Sequence, residues 1–384
     1  MHISQLMDTE KLQNHIRNRY VSVRAHRSDN LVIYNYTHSC ALNQVWDKVT
    51  IQTRGLITTL QGDVVARPFP KFFNTDQIEG LRNHIHHLFG IKFRDLSKQE
   101  FVAYDKLDGS LGILYVEKNF GAVWTYQIAT RGSFESPQAI KGSEIFHKQY
   151  EMFVDRNSET YFDTERYTYL FEIIYPQNRI VVDYGDKEEV RLLAVIDNET
   201  GKDSWVEFTR VSEFQQTIPV KNRGVFHDIK DLPDEQNAEG YVLVYQNGFR
   251  LKYKHEEYKR LHKLICGLTE KRIWDVLRNG DDLDNYAKDL PDEFHKWIYE
   301  VADKLKSKFD DILEKAKVLC KKGEELHTVN GILNRKEFAA YAGQFECRNL
   351  IFMILDGRNY NDFIWKNLEP QGAIGMPQRE TDDE

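Results

Sequence analysis

Cysteine is scarce in this chain of 384 residues: Cys40, Cys266, Cys320 and Cys347 stand apart, with no Cys-x-x-Cys pair. That spacing excludes a zinc ribbon or a disulfide framework and fits a reducing compartment. Long apolar runs are missing too. None approaches the ~20 residues that a membrane-spanning helix needs. The opening Met1-His2-Ile3-Ser4-Gln5 has neither the basic nor the apolar segment of a leader peptide, so a soluble, cytosolic chain is expected. Nor is there an excess of positive charge: 52 Lys+Arg against 60 Asp+Glu leave a formal net charge of −8. A protein that grips nucleic acid by bulk charge is thereby excluded, whereas a local basic groove is not.

What is present is ordinary globular material, 41% hydrophobic and 29% charged, in a length that suggests about two domains. No internal repeat interrupts it. The first two-thirds reads as short runs of β-formers, such as Phe101-Val102-Ala103-Tyr104, Leu111–Val116, Val123–Tyr126, Tyr169–Ile174 and Val190–Ile196. Turn signals lie at Lys118-Asn119-Phe120-Gly121 and Asp197–Gly201, and Gln246-Asn247-Gly248 marks a hairpin between Gly240–Tyr245 and Phe249–Tyr253. A helix is expected around Ile78–Leu88. After Lys254 the apolar residues recur at helical spacing, as in Leu305, Phe309, Ile312, Leu313, Ala316 and Leu319. Pro291-Asp292-Glu293 suits a first helical turn, and Asn334–Glu337 a capping box. The expected fold class is α+β: an antiparallel-sheet domain over residues 1–254, then an all-α domain over 255–384 with a frayed tail from about Leu368.

The sharpest chemical feature is Lys106-Leu107-Asp108-Gly109-Ser110, between two expected strands. Asp-Gly permits a tight turn with backbone close to a ligand, which leaves Lys106 at a sheet lip. A surface hairpin with a solvated lysine is the competing reading of these five residues alone. In Lys252-Tyr253-Lys254, the two lysines share one strand face and aim two ammonium groups at one anion; a solvated strand edge competes. Glu239 precedes Gly240-Tyr241-Val242 at a strand start, where a carboxylate suits a divalent cation, although this piece alone reads first as a plain turn glutamate. Glu172 is an acid within the apolar strand Phe171–Ile174, suited to accepting from a ribose hydroxyl; a glutamate on the solvent face of a half-exposed strand competes. Upstream, Arg54-Gly55 and the run Arg67-Pro68-Phe69-Pro70-Lys71-Phe72-Phe73-Asn74 interleave cations with aromatic rings, as phosphates and bases require.

Taken in order, Arg54, Lys71, Lys106-x-Asp-Gly, Phe171-Glu172, Glu239-Gly240 and Lys252-x-Lys254 resemble the covalent nucleotidyltransferase superfamily of ATP-dependent ligases and mRNA capping enzymes. The finer details resemble the phage RNA ligase 1 family, which repairs cut tRNA. These are Thr53-Arg54-Gly55, the run Arg67–Asn74, Lys-x-Asp-Gly-Ser-Leu, Pro176–Val181 after Glu172, and Glu239–Val242. The ordered motifs run from about Arg54 to Leu264, and the helical segment that includes Ile351–Gly357 follows. Two positions depart from the pattern. Arg131-Gly132 stands where the family tends to have a lysine, and Leu107 where it often has glutamate.

The resemblance implies an ATP-dependent RNA ligase, monomeric and active in the host cytosol if phage-encoded, that takes RNA with 5′-phosphate and 3′-hydroxyl ends, nicked tRNA among them. Lys106 would be the nucleophile that carries AMP. Arg54, Lys71, Phe73, Gly109, Arg131, Glu172, Gly240, Lys252 and Lys254 would bind the nucleotide. Glu239 and Glu172 would face Mg²⁺, for which Mn²⁺ may substitute. A lysine of ordinary pKa, about 10.4, is protonated and cannot attack; neighbouring cations and a metal ion favour its neutral form. A DNA ligase or mRNA guanylyltransferase of the same superfamily is the alternative, disfavoured by helix-forming sequence after Lys254 where those enzymes usually continue into a β-barrel. A catalytically silent RNA-binding relative is a further one.

Overall fold

The structure is a computed structural model that describes residues 1–27, 30–90, 96, 99–119, 123–151, 161–266, 268–287 and 292–370. The expected turn at Phe120-Gly121, the helix-opening Pro291 and the tail beyond 370 lie outside them. The chain divides into two compact units, Met1–Arg260 and Leu261–Gln378, each described by itself.

The first unit opens with helices α1 (Ile3–Leu6) and α2 (Thr9–Arg17) and a four-stranded sheet in the order β1 (Val21–Ala25), β2 (Leu31–Tyr36), β3 (Arg54–Thr59), β4 (Val64–Ala66), with α3 (His38–Leu42) between β2 and β3. Two five-stranded sheets follow. One runs β12 (Asn222–Phe226), β6 (Phe101–Lys106), β13 (Gly240–Tyr245), β14 (Arg250–Lys254), β5 (Phe73–Asn74). The other runs β11 (Ile218–Pro219), β10 (Glu189–Asp197), β9 (Tyr167–Ile174), β7 (Ser110–Asn119), β8 (Val123–Ala129). Pairing is antiparallel throughout except for β10 with β11 and β14 with β5.

Period-2 alternation explains how these sheets are used. In the sheet containing β6, Phe101, Ala103, Tyr241, Leu243, Tyr245 and Leu251 turn to one face. There they form a core with Leu81, Ile85 and Leu88, the last two from α4 (Arg82–Phe89). The residues between them, among them Tyr104, Lys106, Lys252 and Lys254, take the opposite face. In the sheet containing β9, Phe171 and Ile173 pack against Ile145 and Phe146 of α5 (Pro137–Gln149). Leu170 faces the other way, into a core shared with Ile33 and Ile57 of the first sheet. Ser136 caps α5 by accepting from the Ala139 N–H, and Pro137 fills its first turn.

Two further helices, α6 (Trp205–Ser212) and α7 (Glu256–Cys266), lead into a helical second unit: α8 (Glu270–Asn279), α9 (Leu283–Ala287), the 36-residue α10 (Asp292–His327), α11 (Arg335–Ala342), α12 (Arg348–Leu355) and α13 (Asn361–Asn367). Its core gathers Ala316, Cys320, Phe338, Leu350, Ile351 and Ile364. Asn334 caps α11 by accepting from the Glu337 N–H. The expected helical C-terminal region is found, with one small β element inside it. Thr328–Val329 and Ile332–Leu333 pair as a small antiparallel hairpin, β15 and β16, around Asn330 and Gly331, both at positive φ. Among the described residues no helix is long and apolar enough to cross a membrane.

Candidate active site

Three strands of one sheet bring the lysines together. Gly240 pairs with Lys106 on β6 and with Lys254 on β14. One step along, Val242 pairs with Tyr104 and with Lys252. Residues directly opposite share a face, so Lys106, Lys252 and Lys254 project to one side of the sheet. Glu239, at the mouth of β13 and only 3% exposed, receives two of them: its Oε1 lies 2.7 Å from Lys106 Nζ and 3.3 Å from Lys254 Nζ. Gly240 is needed here because a Cβ would come within 2.8 Å of Lys254 Cα and strike the Tyr253 backbone. What approaches closely at this glycine is the neighbouring strand itself.

The Lys106–Ser110 segment is not a hairpin. β6 belongs to one sheet and β7 to the other, so Leu107-Asp108-Gly109 crosses between them, and Leu107 is buried with Ile174 and Val220. Asp108 locks the crossing. Its Oδ2 accepts from the N–H groups of Val181 and Val182, each at 3.0 Å, and its Oδ1 accepts from the Tyr258 hydroxyl at 3.1 Å. Its own N–H donates to the Tyr184 hydroxyl at 2.8 Å. Ser110 meets Asn178, which donates to the Ile173 carbonyl. Gly109 packs against Glu172 so tightly that a Cβ would lie 2.7 Å from a Glu172 carboxylate oxygen and 2.8 Å from the Ile173 carbonyl oxygen. Glu172, opposite Leu111 in the register, is thereby held against the lysine-bearing loop. Burial raises the Tyr184 hydroxyl pKa most; the hydrogen bond from the Asp108 N–H opposes the rise, and the negative charges of Asp108, Glu172 and Glu239 add to it.

The upstream cations are joined through aromatic rings. The Phe72 ring has the Arg54 guanidinium at 5.5 Å and the Lys252 ammonium at 5.2 Å. The Tyr36 ring has Lys71 at 5.4 Å and Arg131 at 5.0 Å, and the Tyr36 hydroxyl accepts from Arg131 at 2.9 Å. Lys71 also faces Trp46 and Phe73, at 5.4 and 5.7 Å. Such contacts favour a cation where water is scarce. Arg54, Lys71, Arg131 and Lys252 are all buried. Phe73 pairs with Leu251 and belongs to the core face. It therefore supports Lys71 from the interior, while the adjacent Phe72 touches the cations.

Sequence reasoning missed Phe72, Tyr36, Tyr184 and Tyr258. Only Phe72 carried a signal, its place in the Arg67–Asn74 run; the tyrosines reach the site from distant segments. The basic stretch after Lys254 is interleaved with acids: Lys259 meets Glu256 and Asp76, and Arg260 meets Glu257. Among the described residues no three His, Cys, Asp or Glu side chains form a metal nest. Glu239 and Glu172 do suit Mg²⁺, which characteristically takes one or two carboxylates and fills its remaining positions with water and phosphate oxygens.

Residues 52–258 match the family model described as RNA ligase. A protein of Autographa californica nuclear polyhedrosis virus, provisionally named a bifunctional polynucleotide kinase/RNA ligase, is 26% identical over 296 residues, 68% of this chain and 38% of that protein. One from Thermovibrio ammonificans, provisionally named an RNA ligase, is 30% identical over 199 residues, 50% of this chain and 46% of the other. The RNA ligase of Rhodothermus phage RM378 is 24% identical over 395 aligned positions, 85% of each chain. The match thus spans less than half the length of the first two relatives.

Proposed function

The chain belongs to the RNA ligase family, and on that premise we propose that it is an ATP-dependent RNA ligase that joins 5′-phosphate and 3′-hydroxyl ends through a lysyl-AMP on Lys106. One observation carries the reading: Lys106 and Lys254 meet on a single buried carboxylate oxygen of Glu239. Gathering three charges, two of them buried and the third mostly covered, is costly unless they are used or fully paired.

In this reading the chemistry has three steps. The Lys106 amine attacks the α-phosphorus of ATP; an N–P bond forms as the bond to the bridging oxygen breaks, and pyrophosphate leaves. An RNA 5′-phosphate oxygen then attacks the adenylyl phosphorus, releasing Lys106. A 3′-hydroxyl finally attacks the activated 5′-phosphorus, loses its proton and expels AMP. Before the first step Lys106 must shed a proton, because an ammonium has no lone pair, and Glu239 in contact with it is an available acceptor. Lys252 and Lys254 offset charge developing on the α-phosphate. Arg54, Lys71 and Arg131 hold the outgoing phosphates; Lys71, set among the Tyr36, Trp46 and Phe73 rings and with no ion pair among the described residues, suits an anion. Glu172 accepts from a ribose hydroxyl. Glu239 and Glu172 would hold Mg²⁺ or Mn²⁺, directly or through water, which when bound neutralises phosphate charge.

The polymer is a broken RNA, nicked tRNA among the candidates, and the role is repair. The test is sealing of a 5′-phosphorylated single-stranded RNA with ATP and Mg²⁺ by wild type and Lys106→Ala. Sealing by wild type alone is expected. Sealing by both, or labelling by GTP in place of ATP, would overturn the reading.

A further inference from the structure

Trp205 opens helix α6 (Trp205–Ser212) and is 47% exposed; among the described tryptophan side chains no other is so open. Nothing about the segment is loose. Asp203, just before it, pairs with Arg250 at 2.5 Å. The Ser204 N–H donates to the Val195 carbonyl, and the Ser204 hydroxyl caps the helix by accepting from the Glu207 N–H. Glu207 in turn accepts from the Tyr169 hydroxyl at 2.6 Å and from Arg210. A rigidly fastened indole left half in water calls for a partner.

Its surroundings say which kind. The indole lies nearly parallel to the Tyr104 ring, 14° between planes and 5.9 Å between centroids, with Phe208 edge-on at 5.9 Å. Tyr104 precedes Lys106 by two residues on the same strand face, roughly 7 Å along β6. Across the sheet, in the row with Val242, it lines up with Lys252. An aromatic shelf thus adjoins a row of ammonium groups on one surface. A chain of alternating anions and flat π-faces matches that pattern, and single-stranded nucleic acid is such a chain.

We propose that Trp205, stacked on Tyr104, is a platform for a base of the RNA strand next to its reacting phosphate. The inference rests on the ligase reading for its choice of polymer, so its test does not depend on turnover. The measurement is equilibrium binding of a labelled, 5′-phosphorylated single-stranded RNA by fluorescence anisotropy, with the rate of AMP transfer onto Lys106 measured in parallel. Loss of one base stack is worth ~5- to 100-fold in binding. Trp205→Ala and Trp205→Gln should weaken RNA binding by that factor, whereas Trp205→Phe, which keeps an aromatic face, should retain most of it. The ATP concentration that half-saturates AMP transfer should stay the same in all three. RNA binding unchanged in both ring-less variants, with their melting curves unaltered, would overturn the platform. So would a shifted ATP requirement with unaltered RNA binding, which would make the shelf part of the adenine pocket. Failure of wild type to form any lysyl-AMP would count against the ligase reading and leave the binding comparison intact.

Discussion

The two units treat charge in opposite ways. In Met1–Arg260 the charged groups of the site are enclosed: Arg54, Lys71, Asp108, Arg131, Glu172, Glu239, Lys252 and Lys254 are all buried. In Leu261–Gln378 the ion pairs lie on the surface, as in Lys271–Glu369, Arg278–Asp362 and Arg335–Asp356, and among the described residues no polar or charged side chain of that unit is buried. Exposed pairs contribute ~0–1 kcal/mol each and need no explanation beyond solubility. Buried ions cost several kcal/mol apiece to dehydrate. The first unit carries most of that cost around the lysine face of a sheet whose other face is an ordinary core, and Glu207, buried against Arg210 and Tyr169, lies apart from it. In the proposed reading enclosed charge marks where the chemistry would lie, and the number of lysines does not, since the second unit is rich in them.

Substitutions on the two sides of this divide should differ accordingly. The largest effect is expected at the enclosed lysines: Lys252→Ala or Lys254→Ala should slow AMP transfer onto the protein by at least ~10², as for loss of one preorganised charge, measured by rapid-quench labelling. Wild-type rates in both would break the contrast. Asp108→Ala comes next. It strands the Val181 and Val182 N–H groups and the Tyr258 hydroxyl, and should lower stability by ~2–4 kcal/mol in denaturant unfolding. In the helical unit, Lys271→Ala should leave the denaturant midpoint unchanged. A chain ending after Leu268 should still form lysyl-AMP and join short RNA, but seal a nicked tRNA stem-loop with no preference over an unstructured strand. An unchanged ratio of the two rates would assign the helices to stability or to another partner.

The smallest effect concerns pH. Burial pushes the Glu207 carboxyl upward, but hydrogen bonds from Arg210 and Tyr169 and the Arg210 charge outweigh it and hold it below its ordinary 4.5. A folded-state pKa below the unfolded one gives stability that is present above pH 4.5 and lost as pH falls through the folded value. Glu207→Gln should lower the melting temperature near neutrality, where the ionised carboxylate contributes in full, and flatten its fall below pH 4.5.

Much of the site was legible because strand geometry is local. Lys-x-Lys fixes a shared face whatever the partner strand, and Glu239-Gly240 reads as a strand start. Register did the rest, setting Gly240 between Lys106 and Lys254. The Lys106–Ser110 crossing was not legible, because Asp-Gly gives the same local signal in a hairpin as in a passage between sheets. Phe72 and Phe73 could not be told apart, since their faces are decided only when β5 pairs with β14. Tyr258 meets Asp108 from 150 residues away, and no local pattern announces that bond. The small hairpin at Thr328–Leu333 did have its signal, Asn330-Gly331, set within a helical background that masks two-residue strands.

The central claim is that the enclosed lysine face carries AMP on Lys106. Intact mass of the full-length protein after incubation with ATP and Mg²⁺, followed by peptide mapping, tests it directly. One adenylyl group on Lys106, absent from Lys106→Ala while that variant keeps the wild-type melting curve, is the expected result. No adduct on the folded wild type, or an adduct that maps elsewhere and survives in Lys106→Ala, would contradict it.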